Sequence, residues 1–350
     1  MSNLYLGVVP VCLFVLSFIL PPAITSVGDR SYVFHKCSKN CLNEICESSL
    51  LSNKQNYWDE YFNSSQSVVF EHTILWDCKS ECKYRCMWNT VSAFEKDGLP
   101  VPQFNGKWPF VRLWGIQEPA SAVFSFVNLI FICFMFCRFY KCVPFNAPMY
   151  KTWVVQTLFS VNAWIWSIVF HTRDTSFTEK MDYFSALAFV IASFMAVHQR
   201  IFNPNRLVTV LFSSGLLAFF ANHVNYMTYV SFDYGYNMTV NISFGVINCF
   251  SWLFFSMYIC DYKKQPYVIY CWLSVTSLSL FMLLELWDFV PIVWTFDSHA
   301  LWHASSVFVI IPWYKFIIAD CLYLLKQNQL KSGVQSELID YISDSKICIS

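Results

Sequence analysis

The sequence predicts an all-α, multi-pass membrane protein with seven transmembrane helices and an N-terminal disulfide-rich domain in the lumen. Three observations predict it. Of 350 residues, 56% are hydrophobic and 19% aromatic, while only 13% are charged, against about a quarter in ordinary soluble proteins. Seven apolar stretches follow one another after residue 118. Ahead of them, six cysteines crowd a polar segment.

The chain begins with an apolar run over residues 4–20, then Pro21, Pro22 and the mostly small residues 23–26. That pattern fits a secretory signal over residues 1–26, cleaved near Ser26 or Gly28. Its first residues lack Lys and Arg, so a retained membrane anchor is the rival reading. Residues 27–118 form the polar domain, with Cys37, Cys41, Cys46, Cys78, Cys82 and Cys86. An even number of cysteines behind a signal favours three disulfides, and fifteen pairings are open. A zinc knuckle is the alternative, but the spacings fit zinc fingers poorly. Asn63-Ser64-Ser65 is a glycan acceptor, as expected of a lumenal segment.

The apolar stretches span 119–138, 153–170, 183–201, 207–223, 240–260, 267–285 and 299–319. Most approach the ~20 residues needed to cross ~30 Å of hydrocarbon. A buried helix of a soluble core would explain any single run; seven in succession with short connections exclude that reading. The basic residues set the orientation. Arg138, Lys141, Lys151, Arg200, Arg206, Lys263 and Lys264 fall in or beside alternate connections, and only Arg173 and Lys180 fall in the others. The positive-inside rule then puts the N-terminal domain in the lumen and the tail, residues 321–350, in the cytosol. Two further acceptors, Asn237 and Asn241, fall in or beside the predicted lumenal loop before the fifth span. The formal net charge is zero, which leaves no global argument for nucleic acid as a partner.

Polar residues at the ends of membrane helices are costly unless they pair or work. Ser167 and His171 close the second span four residues apart, on one helix face. Asp182 stands where the third begins. His299 and His303 open the seventh, at the i, i+4 spacing that lets two imidazoles converge on one metal ion. The predicted topology brings all five to the lumenal face. Three His with an open position describe a catalytic zinc site, where a bound water has its pKa lowered to ~7. Asp182 would accept that water's proton or orient a ligand, and Ser167 would position the water or donate to a developing oxyanion. Plainer readings exist for each: an interfacial His, an Asp favoured by the helix dipole, a packing hydroxyl. His198 falls at the opposite face, and nothing in its spacing ties His223 to the cluster. Glu285, Asp288 and Asp297 either support the site or are solvated loop acids. His35 and His72 are expected on the surface of the N-terminal domain. No Gly-rich phosphate loop and no Gly-x-Ser-x-Gly elbow occurs, which argues against a dinucleotide enzyme and an ordinary serine lipase.

The order Ser167, His171, Asp182, His299, His303 resembles the superfamily of alkaline ceramidases and adiponectin-type receptors, seven-helix membrane hydrolases with a three-His zinc. More specific stretches resemble the family of post-GPI attachment to proteins factor 3. They are the cysteine block from Asp77 to Trp88, Val101-Pro102-Gln103-Phe104-Asn105-Gly106-Lys107-Trp108-Pro109-Phe110, and Gln117-Glu118-Pro119-Ala120-Ser121-Ala122. Phe170-His171-Thr172-Arg173-Asp174-Thr175, Glu179-Lys180-Met181-Asp182-Tyr183 and Phe232-Asp233-Tyr234-Gly235-Tyr236-Asn237 complete the set. The resemblance implies remodelling of GPI anchors: a phospholipase A2-like hydrolysis of the sn-2 acyl ester on the phosphatidylinositol of GPI-anchored proteins, in the Golgi membrane or alternatively the endoplasmic reticulum. It implies Zn2+ on His171, His299 and His303, with Ser167 and Asp182 assisting catalysis. Related ceramidases also hold calcium near their first helix; Glu118 is only a faint echo of that acidic site, and calcium is not expected. Two other functions fit the same residues, a non-catalytic factor that binds and presents GPI-anchored proteins and an amidase acting on ceramide. A Ser167 nucleophile with His171 as its base is a further mechanistic variant.

Overall fold

The computed structural model describes residues 26–47 and 76–332. The predicted signal, Asn63, His72 and the end of the tail lie outside these residues. The described chain is helical without strands, and it divides into two compact units.

One unit comprises residues 23–119 and 289–297. It thus takes in a connection near the end of the chain that sequence reading left with the membrane helices. Its frame is a helical pair, α1 (Tyr32–Cys41) and α2 (Cys78–Lys96), cross-linked by Cys37–Cys86, Cys41–Cys82 and Cys46–Cys78. The cysteines of α2 recur every four residues and so share one face. On the other strand of this ladder the spacing is four and then five. A π-helical turn, Leu42–Glu47, follows α1 and absorbs the extra residue, because its i→i+5 bonding fits one more residue per turn. The pairing is therefore nested and antiparallel, which settles the open connectivity, and no cysteine of the six is left for a zinc knuckle. In chain-entropy terms the first bridge closed is worth about 4 kcal/mol. Gly28 lies against this unit's Phe104-Lys107 turn and donates its N–H to the Gln103 carbonyl at 3.0 Å. A β-carbon there would stand 2.5 Å from that oxygen, so the close approach requires glycine. Arg112 is held by the Glu81 carboxylate at 2.9 Å and sandwiched between the rings of Trp76 and Tyr84.

The second unit holds the membrane helices. They are α3 (Pro119–Cys142), α4 (Tyr150–Thr172), α5 (Ser176–Phe202), α6 (Arg206–Asn225), α7 (Tyr234–Phe254), α8 (Val268–Leu286) and α9 (Ser298–Ser332). Among the described residues, seven helices are long and apolar enough to cross a membrane, one for each predicted stretch. α6 leaves Leu207, Leu211 and Leu217 exposed to 66%, 63% and 67%, a surface that suits lipid and not water. The centre is aromatic: Trp153 of α4, Trp252 of α7 and Trp313 of α9 meet with ring centroids 5.1–5.9 Å apart.

Three boundaries depart from expectation for physical reasons. α5 starts earlier than the apolar run because Thr175 and Thr178 form a reciprocal cap, which satisfies two orphan donors. α7 starts at Tyr234, capped by Asp233, so Asn237 and Asn241 lie inside a helix and not in a loop. Asn237 is 4% exposed and its Oδ1 pairs with Nε2 of buried His223 at 3.2 Å. A glycan on that amide has no room in this fold. α9 continues through residues expected in the tail, and carries Pro312 within it.

Far from the His cluster, Arg200 near the end of α5 donates two hydrogen bonds to Asp320 of α9, at 2.6 and 2.8 Å. Asp320 is wholly buried and also accepts from the Tyr267 hydroxyl at 2.9 Å. Burial, and then the Asp320 carboxylate, push that phenol far above its usual pKa.

Candidate metal centre

α4 ends and α9 begins at the same end of the bundle, and their polar residues meet there. His171, 2% exposed, sits in the last turn of α4. His299 and His303 lie one turn apart at the start of α9. The Nε2 atoms converge: His299 to His303 at 2.9 Å and His299 to His171 at 3.4 Å, with all three ligand atoms within 4.8 Å of one another. Ring nitrogens bound to one tetrahedral zinc at 2.0–2.1 Å stand about 3.3 Å apart. The donor set therefore fits a small divalent cation with little movement.

Glu285, near the end of α8, explains how His299 is oriented. Nδ1 of His299 donates to its carboxylate at 2.7 Å, which turns the Nε2 lone pair toward the other two rings. Of the three acids that sequence reading could not separate, Glu285 holds an imidazole; Asp288 is exposed and Asp297 belongs to the other unit.

Sequence reading missed the contribution of α3. Asn128, fully buried, donates to the main-chain carbonyl of His303 at 2.8 Å and accepts from Ser306 at 3.0 Å. Ser125 donates to the Ser121 carbonyl at 2.7 Å and shares a 2.9 Å hydrogen bond with Ser167. With the Ser125 proton committed, Ser167 is the donor in that pair. The available signal was the spacing of Ser121, Ser125 and Asn128, a polar stripe on one face of an otherwise apolar helix.

Asp182 lies in the second turn of α5, partly exposed. The short Thr172–Ser176 turn puts it at the same end of the bundle as His171. One turn further along, Asn162 of α4 donates to Ser185 of α5 at 2.9 Å. His198 is placed away from the cluster, with its ring stacked on Phe212 at 3.9 Å.

The fold is that of a seven-helix membrane protein, with three imidazoles converging at one end of the bundle and an oxygen-rich shell behind them. Comparison with known proteins gives the family. The family model described as Per1-like family matches residues 69–321. The chain is 41% identical over 315 residues to a protein of Danio rerio named GPI-specific phospholipase A2-like PGAP3, covering 90% of this chain and 96% of that one. It is 39% identical over 307 residues to the Homo sapiens protein of the same name, covering 87% and 92%. With Post-GPI attachment to proteins factor 3 of Drosophila melanogaster it shares 35% identity over 322 residues, covering 89% and 96%. This chain belongs to the Per1-like family.

Proposed function

We propose that the protein is a metal-dependent acyl-ester hydrolase that removes the sn-2 acyl chain from the phosphatidylinositol of GPI-anchored proteins at the lumenal membrane face. The convergence of the three Nε2 atoms carries this reading, and the names of the relatives support the substrate class. The basic residues favour the lumenal orientation, and the proposed location is the Golgi membrane, with the endoplasmic reticulum as the alternative.

His171, His299 and His303 would hold a zinc ion, which when bound lowers the pKa of a water to ~7 and polarises the ester carbonyl. Glu285 keeps His299 in the tautomer whose Nε2 can ligate. Asp182 accepts a proton from the attacking water as its oxygen bonds to the acyl carbon. Ser167 rotates from Ser125 to donate to the carbonyl oxygen. The ester C–O bond breaks, the proton passes to the glycerol oxygen, and a fatty acid and a lysolipid result.

The test compares acyl chains on a GPI-anchored reporter in cells carrying the wild type, His303→Ala or Asp182→Ala. Both variants are expected to retain the unsaturated sn-2 chain. Normal remodelling by both, with protein at wild-type abundance, would remove the catalytic assignment.

A further inference from the structure

Two of the stretches singled out in the sequence, residues 179–183 and 232–237, contribute only Asp182 to the chemistry above. In the fold they pack against each other. The Tyr183 ring stacks on Phe232, centroids 5.9 Å apart and planes 9° from parallel, and meets Tyr234 at 5.9 Å. Lys180 holds its Nζ over the Phe232 ring, 5.7 Å from the centroid, and among the described residues it makes no ion pair. Phe232 and Tyr234 are 38% and 49% exposed. The cluster runs into the metal centre without a break: Tyr183 meets Phe170 at 6.1 Å, and Phe170 meets His171 at 5.1 Å.

We propose that Lys180, Phe232 and Tyr234 form the headgroup subsite, taking the phosphate and the polyol ring of an inositol phospholipid. The proposal rests on the hydrolase reading and names how its substrate is recognised. The chemistry of the cluster selects that class. An unpaired ammonium is a point charge suited to a phosphate. Half-exposed rings suit the C–H face of a cyclic polyol, and mostly apolar side chains with one placed charge are the common makeup of a small-ligand site. A quaternary ammonium headgroup would favour an aromatic face without a cation on it; Lys180 repels it. In a phospholipid the phosphate is separated from the sn-2 ester only by the glycerol backbone. A headgroup site must therefore adjoin the reactive centre, as this one does through Tyr183 and Phe170.

The test is lipid binding by the full chain in detergent micelles, with the metal chelated so that nothing is turned over. Labelled phosphatidylinositol and phosphatidylcholine are titrated in parallel. Tighter binding of phosphatidylinositol is expected. Lys180→Gln should weaken it on the order of tenfold, the loss of one charge-assisted hydrogen bond. Lys180→Arg should keep most of it, Tyr234→Leu should weaken it, and phosphatidylcholine should change little throughout. Wild-type affinity in Lys180→Gln, or an equal loss for both lipids, overturns the subsite. A second arm measures ester cleavage with metal restored. Selective, Lys180-dependent binding without cleavage leaves the subsite standing and removes the hydrolase. Cleavage of phosphatidylinositol that ignores Lys180→Gln removes the subsite and leaves the hydrolase.

Discussion

Glu285 illustrates what a single side chain does for a candidate metal site. It never reaches the point where the three Nε2 atoms meet, yet its bond to Nδ1 of His299 decides which nitrogen faces them. Glu285→Gln keeps the shape and can still pair with the ring, but it weakens the pull on the Nδ1 proton. We expect zinc affinity to fall about 10–100-fold, measured by competition with a chelator of known strength, with the fold intact. Wild-type affinity would assign Glu285 to packing alone. The sequence shows the imidazoles well, because His at i, i+4 is a local pattern and the second His group follows from counting membrane crossings. It shows Glu285 poorly, because three acids fall near one predicted helix end and only the direction of α8 chooses among them. Ser125 and Asn128 act through α3, whose place beside α4 and α9 is a tertiary fact with no local signature. Asn237 fails the other way. Its acceptor motif is local, but its burial against His223 is not.

Among elements, the π-helical turn Leu42–Glu47 shows a spacing anomaly resolved by backbone geometry. A gap of five residues between Cys41 and Cys46 must face a gap of four between Cys78 and Cys82. Deleting Asn43 should convert the turn to ordinary α-helix and leave three disulfides. Inserting one alanine after Asn43 should swing Cys46 by about 100°, leaving Cys46 and Cys78 reduced. Mass spectrometry after alkylation of the unreduced protein counts the modified thiols in each case. Three intact bridges in the insertion variant would contradict this account. The membrane helices were legible almost throughout, since a long apolar run leaves little choice of structure in lipid. Their first turns were not, because caps such as Thr175–Thr178 and Asp233 recruit polar residues that hydropathy discards.

For the whole molecule, the distribution of Lys and Arg predicts that the His cluster faces the lumen. A glycan acceptor engineered into the 144–148 connection should stay unmodified in cells while Asn63 carries sugar, read by a mobility shift on deglycosylation. Modification of the engineered acceptor would invert the bundle and place the proposed chemistry on the wrong leaflet. The ion pair between Arg200 and Asp320 belongs to the same scale. Asp320→Ala strands a buried guanidinium and should cost about 3–5 kcal/mol, seen as earlier thermal unfolding in detergent. α5 and α9 run in the same direction away from the His cluster. From Arg200 back to Asp182 is 18 residues, and from Asp320 back to His303 is 17, so both arms measure roughly 26 Å. The distant guanidinium thus acts as a datum line. It sets the height of Asp182 on one rod relative to His303 on the other, and in the proposed mechanism a slip of one helical turn there would uncouple them without touching either.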